Sequence, residues 1–223
     1  MSPVQRHLDV EVSELKSELV RMAGLAETAI GVAVKALVSR DADMARQVVA
    51  SDDAINGLEI EIDEACLRML ALYQPEATDL RLIAMVLKIN NDLERMGDQA
   101  VNIAERTLEL LKEPLLKPLI DIPRMAAVAQ AMVKDSLDAF ARQDVDLARS
   151  VCRRDDEVDR YDDQIFRELL TYMMEDPKAI TRSVNLILVS RHLERIADHA
   201  TNIAEDVVYL AQGKTIKHHV AGE

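Results

Sequence analysis

Residues 93–110 read LERMGDQAVNIAERTLEL, and residues 193–210 read LERIADHATNIAEDVVYL. Ten of the 18 positions are identical at an offset of 100. A second pair lies upstream. Residues 33–53, AVKALVSRDADMARQVVASDD, match residues 136–156, SLDAFARQDVDLARSVCRRDD, at eight of 21 positions and an offset of 103. The blocks keep their order in both halves, which marks a tandem duplication. Between the blocks the second copy is three residues shorter, and the turn segments 73–78 (YQPEAT) and 174–177 (MEDP) fall in that interval.

Each copy reads as three helices. Leu15, Leu19, Met22, Ala26, Ala29 and Ala33 recur at helical spacing, and predict a first helix running to about residue 39. Asp41 and Asp144 are suited to cap the second helices, because a short carboxylate accepts the unpaired N–H groups of a first turn. The third helices begin near Thr78 and at Asp176-Pro177, where proline sacrifices no helical hydrogen bond. The segment 113–123, EPLLKPLIDIP, holds three of the six prolines and separates the halves. Gly213 closes the last helix. No segment sustains strand alternation. The expected fold is all-α: tandem duplicated three-helix bundles, six helices in all, related by a pseudo-twofold. The first repeat spans 1–114 and the second 118–213, with a polar tail over 214–223. Helices of about 30 residues are near 45 Å long, so an elongated molecule is expected.

Composition narrows the function. Twenty-seven basic against 40 acidic residues give a formal charge of −13. That balance disfavours nucleic acid, whose phosphates need Lys and Arg, and suits cationic partners. The longest stretch free of Asp, Glu, Lys and Arg is nine residues, 125–133. About 20 apolar residues are needed to cross a bilayer, so no span is expected. The N-terminus lacks the apolar core of a signal peptide. Cys66 and Cys152 form no CxxC, and a reducing, cytoplasmic setting is the simplest reading.

The chemistry-bearing feature is a set of carboxylate rows. On a wheel of 100° per residue, Leu93, Met96, Ala100, Ile103, Ala104, Thr107 and Leu111 make the core face of the third helix. Glu94, Asp98, Asn102 and Glu105 form a separate row, repeated as Glu194, Asp198, Asn202 and Glu205. Like charges four apart destabilise a helix by roughly a few tenths of a kcal/mol, yet both copies carry the pair. The second helices contribute Asp52, Asn56, Glu59 and Asp63 in the first copy, and Asp155, Asp159 and Asp162 in the second, where Phe166 replaces Asp63. Counted outward from each turn, Glu94 and Asp98 fall level with Asp52 and Asn56, and Glu194 and Asp198 with Asp155. Facing carboxylate rows repel at low dielectric, so positive charge should lie between them. One reading is local pairing with Arg95, Arg195 and Lys88. The other is a metal: all-oxygen sites suit Mg²⁺, Mn²⁺, Ca²⁺ or iron, and Zn²⁺ stays open.

The segments LERMGDQAVNIAE and LERIADHATNIAE, with DDAIN (52–56) and DDEVD (155–159), resemble the hallmarks of the PhoU family, regulators accessory to bacterial phosphate-specific transport. The resemblance covers nearly the whole chain. It implies a cytoplasmic, mainly dimeric, non-enzymatic protein that signals phosphate sufficiency. Such a protein links the transporter's ATPase subunit to a sensor histidine kinase and holds the starvation response off. It touches membrane only peripherally, through partners. It also implies metal clusters (iron, zinc, manganese or magnesium) on (E/D)xxxD motifs. Those match Glu94/Asp98, Glu194/Asp198 and Asp155/Asp159. Asp52 is followed by Asn56, and Glu59/Asp63 fits instead, so a weaker or shifted first site is implied.

The remaining candidates are bland. His192 and His199 lie off the acidic rows and read as exposed, and His218 and His219 sit in the tail. Cys66 and Cys152 read as core residues, and Tyr73 and Tyr172 as packing the turns. Two rival functions are a purely structural metal-binding scaffold and a di-iron carboxylate enzyme. The latter needs Glu-x-x-His on two helices. Val4, Val189, Ile196, Thr215 and Ile216 stand three before the five histidines, never Glu.

Overall fold

The computed structural model describes residues 3–213; the tail, with His218 and His219, lies outside them. The chain runs α1 (Pro3–Ser39), α2 (Ala42–Tyr73), α3 (Ala77–Leu110), α4 (Asp121–Arg142), α5 (Val145–Cys152), α6 (Asp155–Glu175), a 3₁₀ turn (Pro177–Ala179) and α7 (Ile180–Gln212). Helices α1, α2 and α3 pack on one another, and so do α4, α5–α6 and α7. The third helices, α3 and α7, pack together, and α1 also meets α4. One continuous core results, with Leu19, Met22, Ile30, Leu93, Met96, Ile103 and Met125 fully buried.

The duplicated turns have one chemistry. Arg40 (φ 56°) and Gln143 (φ 53°) take the left-handed conformation that ends α1 and α4. Asp41 N–H then donates to the Ala36 carbonyl and Asp144 N–H to that of Ala139, both at 2.9 Å. The Asp41 carboxylate accepts from the Asp43 and Met44 amides, and Asp144 from Leu147. Arg40 also reaches the Glu113 carbonyl and Arg182 that of Pro114, pinning the proline-rich linker at both sides.

The six-helix plan holds with one difference. The second helix of the second copy is broken at Arg153-Arg154, whereas α2 runs unbroken through the equivalent positions. The Arg154 guanidinium is drawn 2.5 Å from Asp135 on α4. The break gives Asp155, Asp156 and Glu157 a first helical turn of their own, where the helix dipole favours negative charge.

The expectation about apolar spans needs correction. By length and composition α1 is apolar enough to cross a bilayer, because two charges in a window do not disqualify it. Half of that window is buried in the bundle, and Leu19, Met22, Ala26, Ile30 and Ala33 pack the core.

Candidate functional site

The carboxylate rows meet in two grooves, one between α2 and α3 and one between α6 and α7. In the first, Gly97 brings α3 against α2. A Cβ on Gly97 would stand 3.0 Å from Ile55 Cδ1 and 3.6 Å from Asp52 Oδ1. Loss of water raises the Glu94 pKa, and the charges of Asp98, Glu59 and Asp52 add to it. Arg95 opposes that rise, lying 3.6 Å from Glu94 and 3.5 Å from Asp98. Asn56 donates to Asp52 Oδ2 at 2.8 Å. The other oxygens of that pair, Asp52 Oδ1 and Asn56 Oδ1, are buried without a hydrogen-bond partner. Asp63 is held further along the row, by the Asn90 amide at 2.9 Å.

The second groove gathers Asp155, Asp159, Glu194 and Asp198. The helices around Asp198 strip water from its carboxyl even though the residue keeps solvent contact. With Asp155, Glu194 and Asp159 adding their charge, its pKa is pushed up to about 6. Desolvation, then Asp155, Asp156, Asp162 and Asp163, raise Asp159. Asp155 accepts from Thr201 Oγ1 at 3.3 Å. Asp162 is 2% exposed and anchored: Ser190 Oγ donates to it at 2.8 Å, and Arg191 lies 3.0 Å away. Arg191 also pairs with Glu194 at 3.0 Å.

Spacing therefore located the rows, and the structure brings Asp52, Glu59, Glu94 and Asp98 into one groove and Asp155, Asp159, Glu194 and Asp198 into the other. It keeps Asp63 apart, with Asn90. Arg95 has the local pairing expected of it, but Lys88 reaches across the molecule to Asp206 on α7 at 3.2 Å. Arg191 was missed, although its place three residues before Glu194 signals an ion pair on one helix face. Among the described residues, no three His, Cys, Asp or Glu side chains are already gathered around a point that could hold one ion. The thiols offer no alternative. Burial and Asp63 push Cys66 up to about 12, and burial and Glu205 push Cys152 up to about 11.

The reading of His192 and His199 as exposed is overturned. His199 Nδ1 lies 2.8 Å from Asp92 Oδ1, and His192 Nδ1 lies 2.8 Å from Gln99 Oε1. A wheel drawn for one hairpin cannot show that the opposite half covers these positions. At an offset of 100, Asp92 is equivalent to His192 and Gln99 to His199, so the two contacts are one contact repeated by the pseudo-twofold.

The chain is thus a duplicated all-α helical-bundle protein with a cluster of carboxylates in each half. The PhoU domain model matches residues 19–107 and 122–207, one copy on each half. The chain is 48% identical over 208 residues to the phosphate-specific transport system accessory protein PhoU homolog of Aquifex aeolicus, covering 93% of this chain and 94% of that one. It is 45% identical to the homolog so named from Pseudomonas aeruginosa, covering 96% and 89%. The crystal structure of PhoU from Pseudomonas aeruginosa superposes with a TM-score of 0.90 at 47% identity, over 92% of this chain and 99% of that one. The PhoU crystal structure from Streptococcus pneumoniae, titled a phosphate transport system regulatory protein, gives 0.88 at 32% identity, over 94% and 99%. The chain belongs to the PhoU family.

Proposed function

We propose that this chain is a non-enzymatic regulator of phosphate uptake. It acts in the cytoplasm as a homodimer, between the ATPase subunit of a phosphate transporter and a sensor histidine kinase, and keeps the starvation response off when phosphate is plentiful. The observation that carries the reading is the coincidence of two family domains with the two halves of one fused core. Nearly full-length similarity to accessory proteins of phosphate-specific transport supports it. Deleting the gene should raise phosphate-starvation gene expression in phosphate excess. A wild-type response would reject the regulatory role.

The grooves are the part of the molecule suited to multivalent cations. Their donors are hard oxygens, and in the first groove Asp52 Oδ1 and Asn56 Oδ1 are buried with nothing to satisfy them. Such orphaned acceptors are costly unless a cation or donor reaches them. In the second groove Asp155, Asp159, Glu194 and Asp198 would hold the ion after small side-chain rotations, and an ion there supplies charge neutralisation and cross-links α6 to α7. The second groove should hold metal more tightly, because it has Asp159 where the first has the neutral Asn56, while an arginine (Arg95 or Arg191) competes in both. Elemental analysis of protein purified without chelator should show iron, zinc, manganese or magnesium, reduced in E194A/D198A. Unchanged content would reject those ligands.

A further inference from the structure

The rows that carry the acids do not end where the acids end. On α6 the line through Asp155, Asp159 and Asp162 continues to Phe166, Leu170 and Met174. On α7 the line through Asp198, Glu194 and Arg191 continues to Leu188, Val184 and Ile180. The contacts of Asp162 with Ser190 and Arg191 fix the register of this antiparallel pair. In that register Phe166 falls beside Leu188, Leu170 beside Val184, and Met174 beside Ile180. All six are exposed, at 41%, 36%, 43%, 42%, 79% and 46% in that order. Monomeric proteins scatter apolar residues singly over their surfaces, whereas contiguous patches mark interaction sites. The duplication supplies an internal control. In the first half the equivalent positions are Asp63 and Lys88, whose side chains turn to Asn90 and to Asp206, then Leu67 and Ala84, and Ala71 and Leu80. Two of those first-half rungs are apolar but each pairs a leucine with an alanine, and the rung next to the acids is charged, so only the second half carries three consecutive rungs of large apolar side chains.

We propose that this face of α6 and α7 docks an amphipathic helix of a partner protein. Apolar side chains on one half of that helix cover the three rungs, and in the metal-free chain Lys or Arg on its other half lies along the Asp155, Asp159, Glu194 and Asp198 end in place of the ion. The charge complementarity fixes both the partner's chemistry and its direction in the groove. From Ile180 to Asp198 the face needs a helix of about 18 residues, or about 27 Å. A second copy of this chain fits poorly, since a net charge of −13 brings like charge to an acidic face. An anionic lipid surface meets the same repulsion. The inference shares with the regulatory reading only the premise that the chain works by docking partners. A peptide titration tests the surface and the deletion phenotype tests the regulation, so the two fail separately.

The test uses the full chain in chelator and a labelled helical peptide of about 18 residues, with leucines spaced three and four apart in one half and lysines in the other. Fluorescence anisotropy should show binding that L170D/V184D weakens by about tenfold or more, that E194Q/D198N and added salt also weaken, and that L67D in the first half leaves unchanged. Circular dichroism checks that each variant folds. If L170D/V184D does not fold, M174D serves, at the most exposed position of the patch. Equal loss with L67D, no loss with L170D/V184D, or tighter binding of a peptide with glutamates for the lysines would overturn the proposal. Absence of peptide binding would overturn it too, and two further results would then identify what covers the face instead. One is phosphatidylcholine or phosphatidylglycerol vesicle binding abolished by L170D/V184D. The other is a dimer that the same change splits in sedimentation.

Discussion

Single side chains set the pH response of this molecule in opposite directions. The folded chain raises Asp198 from an ordinary value of 3.8 to about 6, by loss of water and by Asp155, Glu194 and Asp159. Folding therefore favours the protonated carboxyl. That contribution to stability is complete below pH 3.8 and is lost as pH rises through about 6. His192 does the reverse. Burial, with Arg195 and Arg106, lowers it from 6.5 to about 4, so the folded state keeps the ring neutral where the unfolded chain takes a proton. Its contribution is complete above pH 6.5 and is lost as pH falls through about 4. In chelator, D198N should raise the melting temperature at pH 7 and leave it nearly unchanged at pH 4. H192Q should raise it at pH 4 relative to the parent and not at pH 7. Melting curves across that range check both; parallel shifts at all pH values would refute the assignments.

Much of this was legible at the level of residues. Spacing by four found Glu94, Asp98, Glu194 and Asp198, because a helix has one geometry whatever surrounds it. What one helix says about its neighbours is limited. His192 and His199 were misread because their partners, Gln99 and Asp92, lie in the other repeat. Asp63 sits on the correct row, and only the position of Asn90 shows that it is occupied elsewhere.

Between elements, the two repeats solve one packing problem in two ways. Where α2 meets α3, Ile55 packs against Gly97; the repeat equivalents are Val158 and Ala197, all four of them buried. A methyl group has moved from one helix to the other. G97A alone should destabilise, since the new Cβ would stand 3.0 Å from Ile55 Cδ1. I55V alone should cost about 0.5–1.5 kcal/mol. G97A/I55V should recover most of both losses, aided by about 1 kcal/mol of helix propensity. Urea denaturation of the four proteins closes the cycle, and simple additivity would reject the exchange. Caps were the clearest element signal: Asp41 and Asp144 both accept first-turn amides, and replacing either by Ala should cost about 1 kcal/mol. The break at Arg153-Arg154 left no such mark. No proline or glycine stands there, and the pull of Arg154 toward Asp135 is a tertiary effect.

For the whole molecule, the fused core matters more than the boundary between repeats. Helices α3 and α7 meet through a polar seam as well as apolar side chains. Lys88 reaches Asp206, Arg106 reaches Asn185, and His199 and Asn202 both hold Asp92. Buried polar groups left without partners are costly, so each half needs the other. Fragments 1–116 and 117–213 expressed separately should melt without cooperativity and regain a cooperative transition when mixed. Independent folding of either fragment at the parent's melting temperature would contradict a single core. Sequence repetition told how many units there are, and their chain order. It could not tell that the seam between them is one core, since no pattern within one repeat records what the other presents.

The matched contacts of Asp92 with His199 and of His192 with Gln99 carry a historical meaning. Before the gene doubled, one side chain at the first position would have met its twin's side chain at the second, twice over, in a pair of identical short chains joined along their third helices. Covalent fusion released each site from having to serve both ends of that symmetric handshake. One junction then became an acid–imidazole couple and the other an amide–imidazole couple, a divergence no strictly identical pair could have achieved.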